Sequence, residues 1–393
     1  MRSAVIVDAV RTAGGKRNGA LSGWHPADLA AEVLAALVRR TGLDPALVDD
    51  VIMGCVTQIG YQGGNIGRWA ALSAGFPESV PATTIDRQCG SSQQAAHFAA
   101  QAVLSGTSDI VIAAGVEVMS STPMGGAIGD GKLPFGRRVE ERYAGTEHGL
   151  PAQGISAELI CAEWGLTRYE IDEYSAESHR RAARARDEGR FANEIVPVAS
   201  RRLGDTAETG DLVQADEGIR PGTTPEILAK LRPAFTADGL ITAGNSSQIT
   251  DGASAMLVMS EDRADALGLT PRARFHTLTV TGSDPVLMLT GPIPATERAL
   301  ARSGLGIDDI DVFEVNEAFA PVVLAWAREL HPDPRRVNPN GGAIALGHPL
   351  GATGVKLMAT LIGELERTGG RYGLQTMCEG GGMANATIVE RLG

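Results

Sequence analysis

Two segments, one near each end of the chain, repeat the same order of structural signals. AALVRRTGLDPALVDDVIMGC and ERALARSGLGIDDIDVFEVN each have a helical pattern, a Gly-Leu stop, an acidic turn and an apolar strand. The spacing is 13 residues from Gly42 to Cys55 and 12 residues from Gly304 to Asn316. A second pair of segments shows the same order of a turn motif, a helix and a strand. TIDRQC in the first half corresponds to GGAIALGHPLGATG in the second, and after a helix SDIVIAAGVEVMS corresponds to YGLQTMCEGGGMANATIVE. Such self-similarity indicates an internal duplication.

The duplicated unit is predicted to be α/β. Strand and helix patterns alternate through both halves, which favours parallel sheets with crossover helices; chance similarity of two ordinary strand–helix units is the alternative. Residues 120–245 interrupt this alternation with a loop rich in glycine and proline and two helical patterns. An insertion of this kind often shapes a substrate site. An oligomer contact or a cover for one sheet face remains open.

Composition and charge exclude several classes of protein. The net charge of −12 over 393 residues argues against a nucleic-acid partner. No apolar run approaches the ~18 residues of a spanning helix, and Asp8 interrupts the first apolar run, so we expect neither a membrane span nor a signal peptide. The four cysteines show no CxxC pair and no zinc spacing, which predicts no metal site and favours a reducing cytoplasm.

Two residues in turns before helices are candidates for nucleophilic chemistry. Cys89 lies where an apolar segment meets a helical pattern. Backbone N–H groups at a helix start stabilise a thiolate, so we expect a lowered pKa there; a small buried hydrophobe is the alternative. His348 stands in a segment with five glycines before another helical pattern, a place suited to proton transfer.

Two further candidates follow apolar strands in the C-terminal half. Cys378 begins CEGGG, whose glycines are able to expose N–H donors for an oxyanion; a plain tight turn is the alternative. Asn316 follows the strand DVFEV, where it is suited to hold a water or to cap a helix. Because ligands bind beyond the carboxyl ends of strands in open α/β sheets, we expect these groups to lie close together.

With these motifs in view, nearly the whole chain, from VIVDAVRT to ANATIVE, resembles the thiolase family of acetyl-CoA acetyltransferases and 3-ketoacyl-CoA thiolases. The resemblance implies an α/β thiolase fold of two βαβαβαββ halves in a layered α/β/α/β/α core. The implied N-terminal half comprises residues 1–119 and 246–267. The implied loop domain comprises residues 120–245, and residues 268–393 form the C-terminal half.

The same resemblance implies a division of roles. Cys89 is the acyl-accepting nucleophile, His348 activates it, and Cys378 exchanges the α-proton of acetyl-CoA. Asn316 holds a water that forms one oxyanion hole with His348, and the backbone N–H groups of Cys89 and Gly380 form the other. Two acid/base groups and two oxyanion sites are what carbon–carbon chemistry on thioesters needs.

Coenzyme A is implied as a substrate, with no tightly bound cofactor. The partners implied are acyl-CoA and CoA, in a homotetramer or homodimer. The positions that match the family's CoA contacts are Arg220, Phe235, Ala243, Ser247, Ala318 and Phe319.

Three departures from the family pattern bear on substrate and reactivity. Asp86 stands where many members have asparagine, and Glu379 where a small or apolar residue is common; either carboxylate is able to alter cysteine reactivity. Ala152 stands where short-chain biosynthetic members tend to carry histidine. These differences favour degradative thiolysis of longer or bulkier 3-ketoacyl chains, including sterol side chains. A biosynthetic acetoacetyl-CoA thiolase and a non-catalytic lipid carrier of this fold are the alternatives.

Overall fold

The computed structural model describes residues 2–129, 132–204 and 210–393. The strands are β1 (Ala4–Thr12), β2 (Gly15–Lys16), β3 (Asp50–Gly54), β4 (Ala82–Ile85), β5 (Ile110–Val118), β6 (Ile195–Val196), β7 (Val198–Ala199), β8 (Leu212–Val213), β9 (Thr250–Ser260), β10 (Ala273–Gly282), β11 (Val312–Val315), β12 (Tyr372–Glu379) and β13 (Met383–Arg391).

The α-helices alternate with these strands. They are α1 (Pro26–Thr41), α2 (Ile66–Ser73), α3 (Ser91–Ser105), α4 (Arg137–Tyr143), α5 (Gln153–Glu163), α6 (Arg168–Asp187), α7 (Pro225–Leu228), α8 (Glu261–Leu267), α9 (Pro292–Ser303), α10 (Ala320–Leu330), α11 (Ala343–Leu346) and α12 (Thr353–Thr368). Short 3₁₀ turns span Pro45–Leu47, Gly60–Gln62, Ile307–Asp309 and Leu350–Ala352.

Nine of the strands follow one path in the order β11-β12-β13-β10-β1-β9-β5-β3-β4. Off this path, β2 pairs with β9 and β6 with β1, and β7 and β8 form a separate two-stranded sheet. β3, β4 and β5 pair in parallel, as do β11 and β12, whereas β9 and β13 are antiparallel to their neighbours. The two halves meet where β1 and β10 pair at Val5–Arg274 and Ile6–Ala273. This short pairing leaves each half with a sheet of its own.

The predicted duplication is confirmed. The N-terminal half runs β1-α1-β3-α2-β4-α3-β5-β9, and the C-terminal half repeats it as β10-α9-β11-α10-α12-β12-β13, with α11 added before α12. A second difference is the counterpart of β4, which is reduced to a bridge between Val337 and Phe313. Pro334 and Pro339 flank that bridge, and proline donates no hydrogen bond to a strand ladder.

The expected five layers are present because the strands bury both faces. On β5, Ile110 and Ile112 face one apolar cluster, with α1 and α2, while Val111 and Ala113 face a second, with α3 and α12. This is the period of two that strand geometry imposes. The second cluster also includes residues of β10, β11 and β13, and α9 and α10 cover the outer face of the C-terminal sheet. Helices α3 and α12 therefore form the central layer.

Glycine permits the close contact between the two central helices. A Cβ on Gly354 would lie 2.0 Å from the backbone nitrogen of Gln93. Gln375 of β12 donates to the Gln93 side chain at 3.1 Å and to the Gly354 carbonyl at 2.8 Å. A residue larger than glycine at position 354 would therefore force the helices apart.

The insertion packs onto both halves. The two helical patterns foreseen there are α5 and α6, and α6 begins with a capping box formed by Thr167 and Glu170. The predicted domain boundaries remain a prediction, and residues 130–131 and 205–209 of the insertion lie outside the described residues. In the described part of the chain, no helix is long and apolar enough to cross a membrane, and no group of His, Cys, Asp and Glu residues has the arrangement of a metal site.

A buried ion cluster attaches the insertion to the first strand. Arg11 of β1 is fully buried; its Nε lies 2.6 Å from Glu194 Oε1 and its Nη1 2.7 Å from Asp216 Oδ1. Burial alone would lower the pKa of Arg11, but the two carboxylates raise it. Because Glu194 and Asp216 belong to the insertion, this cluster determines where it sits on the sheet.

We expect Arg11→Met to lower the free energy of unfolding by about 3–5 kcal/mol, because it leaves two buried carboxylates without their cation. Chemical denaturation followed by circular dichroism measures this loss. Arg335→Met is the matched control, since that arginine pairs with Asp333 at the surface and its loss should leave the denaturation midpoint unchanged. Equal midpoints for Arg11→Met and the wild type would contradict the assigned role.

Candidate active site

The candidate residues gather at the carboxyl ends of three strands. Cys89 follows β4, Asn316 follows β11, and Cys378 is the penultimate residue of β12. His348 lies in the turn between α11 and α12. All four are buried, with 5% or less of each exposed.

A constrained turn presents Cys89. The preceding residue, Gln88, has φ = 48°, a conformation uncommon for a residue other than glycine. Asp86 helps to hold it, since one of its oxygens accepts from the Gln88 backbone nitrogen at 2.6 Å. Ser91 closes the turn by donating to the Gln88 carbonyl at 2.6 Å. The sulfur is thereby fixed at the base of α3.

The expected lowering of the Cys89 pKa is wrong for the free protein. Burial, and after it the charge of Glu379, raise the pKa of Cys89 to about 12. Its own backbone N–H and the nearby Gln153 side chain favour the thiolate, and Asp86 disfavours it. The helix-start effect is therefore outweighed by desolvation, which penalises a buried anion. Cys89 is a thiol at neutral pH.

His348 is held in one tautomer. The Thr353 hydroxyl donates its single hydrogen to the Pro349 carbonyl at 2.8 Å, so it accepts at 2.6 Å from His348 Nδ1. The hydrogen of the neutral ring is thus on Nδ1, and Nε2 is free to accept a proton. Burial and the nearby Lys356 lower the pKa of His348 to about 3. The ring is therefore neutral in the free protein.

Lys356 supports the turn that carries His348. Its Nζ donates to the carbonyls of Leu346 at 2.6 Å and Gly347 at 2.9 Å. Burial lowers the pKa of Lys356 to about 8, against the pull of Asp216. Lys356 therefore connects the histidine turn with the ion cluster around Arg11. Its position in the sequence gives no sign of this contact.

Asn316 does not cap a helix. Helix α10 begins at Ala320 with Phe319 as its N-cap, whereas Asn316 Nδ2 lies 3.4 Å from His348 Nε2. The Asn316 Oδ1 atom is buried and accepts no hydrogen bond within the described residues. The amide therefore has a free acceptor beside the histidine.

The second thiol lies near the first. Burial and then the neighbouring Cys89 raise the pKa of Cys378 well above its usual value. Gly380, two residues later, is adjacent to the same turn, because a Cβ there would lie 3.0 Å from Gln88 Oε1. The structure thus brings Cys89, Cys378 and Gly380 together. Leu350, in the turn that carries His348, packs in the same small apolar cluster as Cys89, and Asn316 lies beside His348.

Sequence reasoning missed Gln153, the first residue of α5. Its side chain lies close enough to the Cys89 sulfur to lower the pKa of that thiol. Its Nε2 would lie 3.5 Å from a Cβ at Gly380, so it stands between the nucleophile turn and the glycine turn. The signal that pointed here was the adjacent Ala152, whose departure from the family pattern marked this part of the insertion.

Four of the six predicted CoA positions lie together. The rings of Phe235 and Phe319 meet edge to face with centroids 6.0 Å apart, and Ser247 donates its backbone N–H to the Ala318 carbonyl at 2.9 Å. Ala243 is exposed and precedes Ser247 by four residues in the same loop. These positions share one wall next to Asn316 and lead from the surface inward.

The sixth position, Arg220, lies on a separate exposed turn. Its backbone nitrogen donates to His179 Nδ1 of α6 at 3.2 Å, and its carbonyl accepts from the Thr223 hydroxyl at 2.9 Å. Burial and the Arg220 charge lower the pKa of His179 to about 4. The guanidinium is thus an exposed cation, and its role toward CoA stays a prediction.

Comparison with known proteins gives the same family over the full length. Residues 4–262 match the model of the thiolase N-terminal domain and residues 269–391 that of the thiolase C-terminal domain. The chain is 54% identical to a steroid 3-ketoacyl-CoA thiolase, FadA6, of Mycobacterium tuberculosis, covering 100% of this chain and 95% of that protein. It is 42% identical to a 3-ketoacyl-CoA thiolase of Bacillus subtilis, covering 99% and 100%.

A solved structure agrees with these matches. The acetyl-CoA acetyltransferase of Bacillus anthracis superimposes with a TM-score of 0.90 and 39% sequence identity, covering 100% of this chain and 99% of that one. Both halves, the insertion and the four strand-end motifs fall within the matched length. The chain therefore belongs to the thiolase family and is an acyltransferase.

Proposed function

We propose that the protein cleaves 3-ketoacyl-CoA with CoA to give acetyl-CoA and a shortened acyl-CoA, through an acyl group carried on Cys89. The observation that carries the proposal is the pair of buried thiols, Cys89 and Cys378, close enough for one to raise the pKa of the other. One thiol is needed to hold the acyl group while the other moves a proton, and a single thiol cannot do both at once.

The first half-reaction begins with a neutral thiol and a neutral imidazole. Cys89 Sγ attacks the 3-keto carbon while His348 Nε2, the free lone pair of the fixed tautomer, takes the thiol proton. The bond between the α-carbon and the keto carbon then breaks, and its electron pair moves to the α-carbon. The Cys378 thiol protonates that carbon, so acetyl-CoA leaves, Cys378 becomes a thiolate and Cys89 carries the shortened acyl group.

The second half-reaction restores both thiols. The Cys378 thiolate takes the proton of the incoming CoA thiol, and the CoA sulfur attacks the acyl carbon. Cys89 leaves as a thiolate and regains its proton from His348. Each proton removed is thus returned, and the condensation of two acyl-CoA molecules is the same sequence reversed.

Two oxyanion sites complete the proposal. We assign the protonated Nε2 of His348, together with a water that donates a hydrogen bond to Asn316 Oδ1, to the stabilisation of the thioester enolate. The backbone N–H groups of Cys89 and Gly380 are assigned to the tetrahedral intermediate at the 3-keto carbon. The free, buried Asn316 Oδ1 supports the first assignment.

For the substrate we propose a degradative role on longer or bulkier 3-ketoacyl-CoA, from fatty acids or sterol side chains. The names of the M. tuberculosis and B. subtilis relatives support this class. CoA would enter along the wall formed by Phe235, Phe319 and Ser247, with Arg220 near its nucleotide end. We further propose a cytoplasmic homotetramer or homodimer with no tightly bound cofactor; exposed apolar side chains such as Trp69, Met124 and Leu133 suit a subunit contact.

We expect Cys89→Ala to lower thiolysis by roughly 10⁴-fold or more and to abolish condensation, since no acyl group can be held. Absorbance of the 3-ketoacyl-CoA and of new acyl-CoA measures both directions. Cys161→Ala is the matched control, because it removes a buried thiol from α5 and should leave the rate near that of the wild type. Turnover retained in Cys89→Ala would refute the acyl-enzyme.

We expect Cys378→Ala to separate the two chemistries. Its Cys89 should still take an acetyl group from acetyl-CoA, more slowly than in the wild type because CoA then leaves as an unprotonated thiolate; intact-protein mass spectrometry detects this as one added acetyl. Carbon–carbon cleavage and condensation should fall to background, because the carbanion lacks its proton donor. Normal cleavage in this variant would assign the proton transfer to another group.

Thiolysis across 3-ketoacyl-CoA substrates, from acetoacetyl to long-chain and steroid-bearing, tests the substrate class. We expect kcat/KM to rise with chain length or bulk. A maximum at acetoacetyl-CoA would favour the biosynthetic alternative. Binding without turnover of any substrate, with Cys89 still reactive, would favour the lipid carrier.

A further inference from the structure

Glu379 is a buried carboxyl group without a hydrogen-bond partner. The residue is fully buried at the end of β12, and neither oxygen has a partner within the described residues. Buried carboxylates are normally hydrogen-bonded. Glu117, equally buried near the end of β5, shows the normal case: it accepts from Val56, Thr57, Gln62 and Gly351 at 2.7–3.1 Å. The stability of the fold gives no reason for an unsatisfied carboxyl at position 379.

The carboxyl group lies directly against the nucleophile turn. A Cβ on Gly90, the residue after Cys89, would be 2.1 Å from Glu379 Oε1. The position after the nucleophile therefore has room for this carboxyl only because it is glycine. On the other side, Arg87 Nη1 stands 3.9 Å from Glu379 Oε2, at the outer limit of an ion pair and too far for a hydrogen bond.

The titratable and charged groups that face Glu379 are Arg87, Asp86 and the two thiols. Burial, opposed by Arg87 and aided by Asp86, raises the pKa of Glu379 to about 8. Glu379 is therefore largely protonated at neutral pH, and once it is ionised above about pH 8 its negative charge disfavours the thiolates of Cys89 and Cys378. A like charge in a low-dielectric pocket acts strongly on a neighbouring anion.

We propose that Glu379 is an electrostatic positioning residue whose ionised form holds Cys89 as a thiol in the free enzyme under alkaline conditions, so that the thiolate forms only when His348 takes the proton during acyl transfer. The inference rests on the proposed role of Cys89 as nucleophile. It goes beyond that role by naming the group that controls the nucleophile's charge. A thiol that is not ionised at rest also resists alkylation and oxidation, since the thiolate is the reactive species.

The test measures the alkylation of Cys89 by iodoacetamide as a function of pH. Mass spectrometry of the Cys89 peptide gives its rate without any need for turnover. We expect Glu379→Gln, which keeps the shape and removes the charge, to move the profile to lower pH. The rate at about pH 9.5, where the wild-type Glu379 is ionised, should rise by about 10-fold if the pKa of Cys89 falls by about one, because the thiolate fraction rises in that proportion. An unchanged profile would overturn the proposal.

Further variants keep the result interpretable. Asp86→Asn should shift the profile in the same direction by a smaller amount, since Asp86 is a weaker cause of the raised Cys89 pKa. Glu379→Ala, which also removes the charge, tests the proposal if Glu379→Gln fails to fold. Glu314→Gln is the matched control: its Oε1 is buried without a partner, but Cys89 is not among the groups acting on it. A shift with Glu314→Gln equal to that with Glu379→Gln would overturn the proposal.

Failure of this inference is distinct from failure of the proposed function. If Cys89→Ala retains turnover while Glu379→Gln still shifts the alkylation profile, the nucleophile assignment fails and the charge coupling stands. If Cys89→Ala is inactive and the profile does not move, the nucleophile stands and the role of Glu379 is refuted.

The pH dependence of stability provides an independent check. Folding raises the pKa of Glu379 from 4.5 to about 8, so the folded protein binds a proton at this residue more tightly than the unfolded chain does. This difference stabilises the folded protein at low pH, and the stabilisation is lost as pH rises through about 8. Glutamine does not titrate, so we expect the Tm of Glu379→Gln, relative to the wild type, to increase from pH 5 to pH 9. A constant difference would mean that the carboxyl is satisfied in solution, which would also overturn the proposal.

Discussion

The contact between α3 and α12 is the constraint on which the candidate site depends. The two helices are equivalent elements of the two halves, and both sheets close over them. Gly354 lets α12 approach the backbone of α3 at Gln93, near the start of both helices. The turns that precede the helices must then meet, and these turns carry Cys89 and His348. Opposite ends of the sequence therefore supply the nucleophile and its base because two halves of one fold pack against each other.

Buried carboxylates hold the segments around this contact. Glu117 of the N-terminal half accepts from the backbone nitrogen of Gly351, just after the histidine. Glu317 accepts from the backbone nitrogen of Ile344 and from the hydroxyl of Ser178, joining the glycine-rich segment to the insertion. Each is a buried charge whose burial is offset by several donors. The segments around the site are thus held by carboxylates with several donors, whereas Glu379, beside the nucleophile, has no hydrogen-bond partner within the described residues.

Sequence reasoning predicted the features that follow from a local residue pattern and missed those that depend on contacts between residues far apart in the chain. The repeat around Gly42 and Gly304 gave the two halves, and strand-end motifs gave the four candidate residues. The sign of the Cys89 pKa shift was wrong because a helix start is visible in a sequence, whereas desolvation and the charge of Glu379 are not. Gln153 and the support of the histidine turn depend on contacts across the fold, so no local pattern encodes them.

The duplicated halves use equivalent sheet positions for different purposes. In the parallel register, Gly54 pairs with Gly115 and Val315 with Thr376, so Cys55 corresponds to Asn316, and Glu117 corresponds to Cys378. The N-terminal pair is structural: Glu117 accepts the backbone N–H groups just after Cys55 and that of Gly351. The C-terminal pair faces the candidate site. One half therefore fixes the turn on which the chemistry of the other half depends, and this explains why a symmetric fold supports a single asymmetric site.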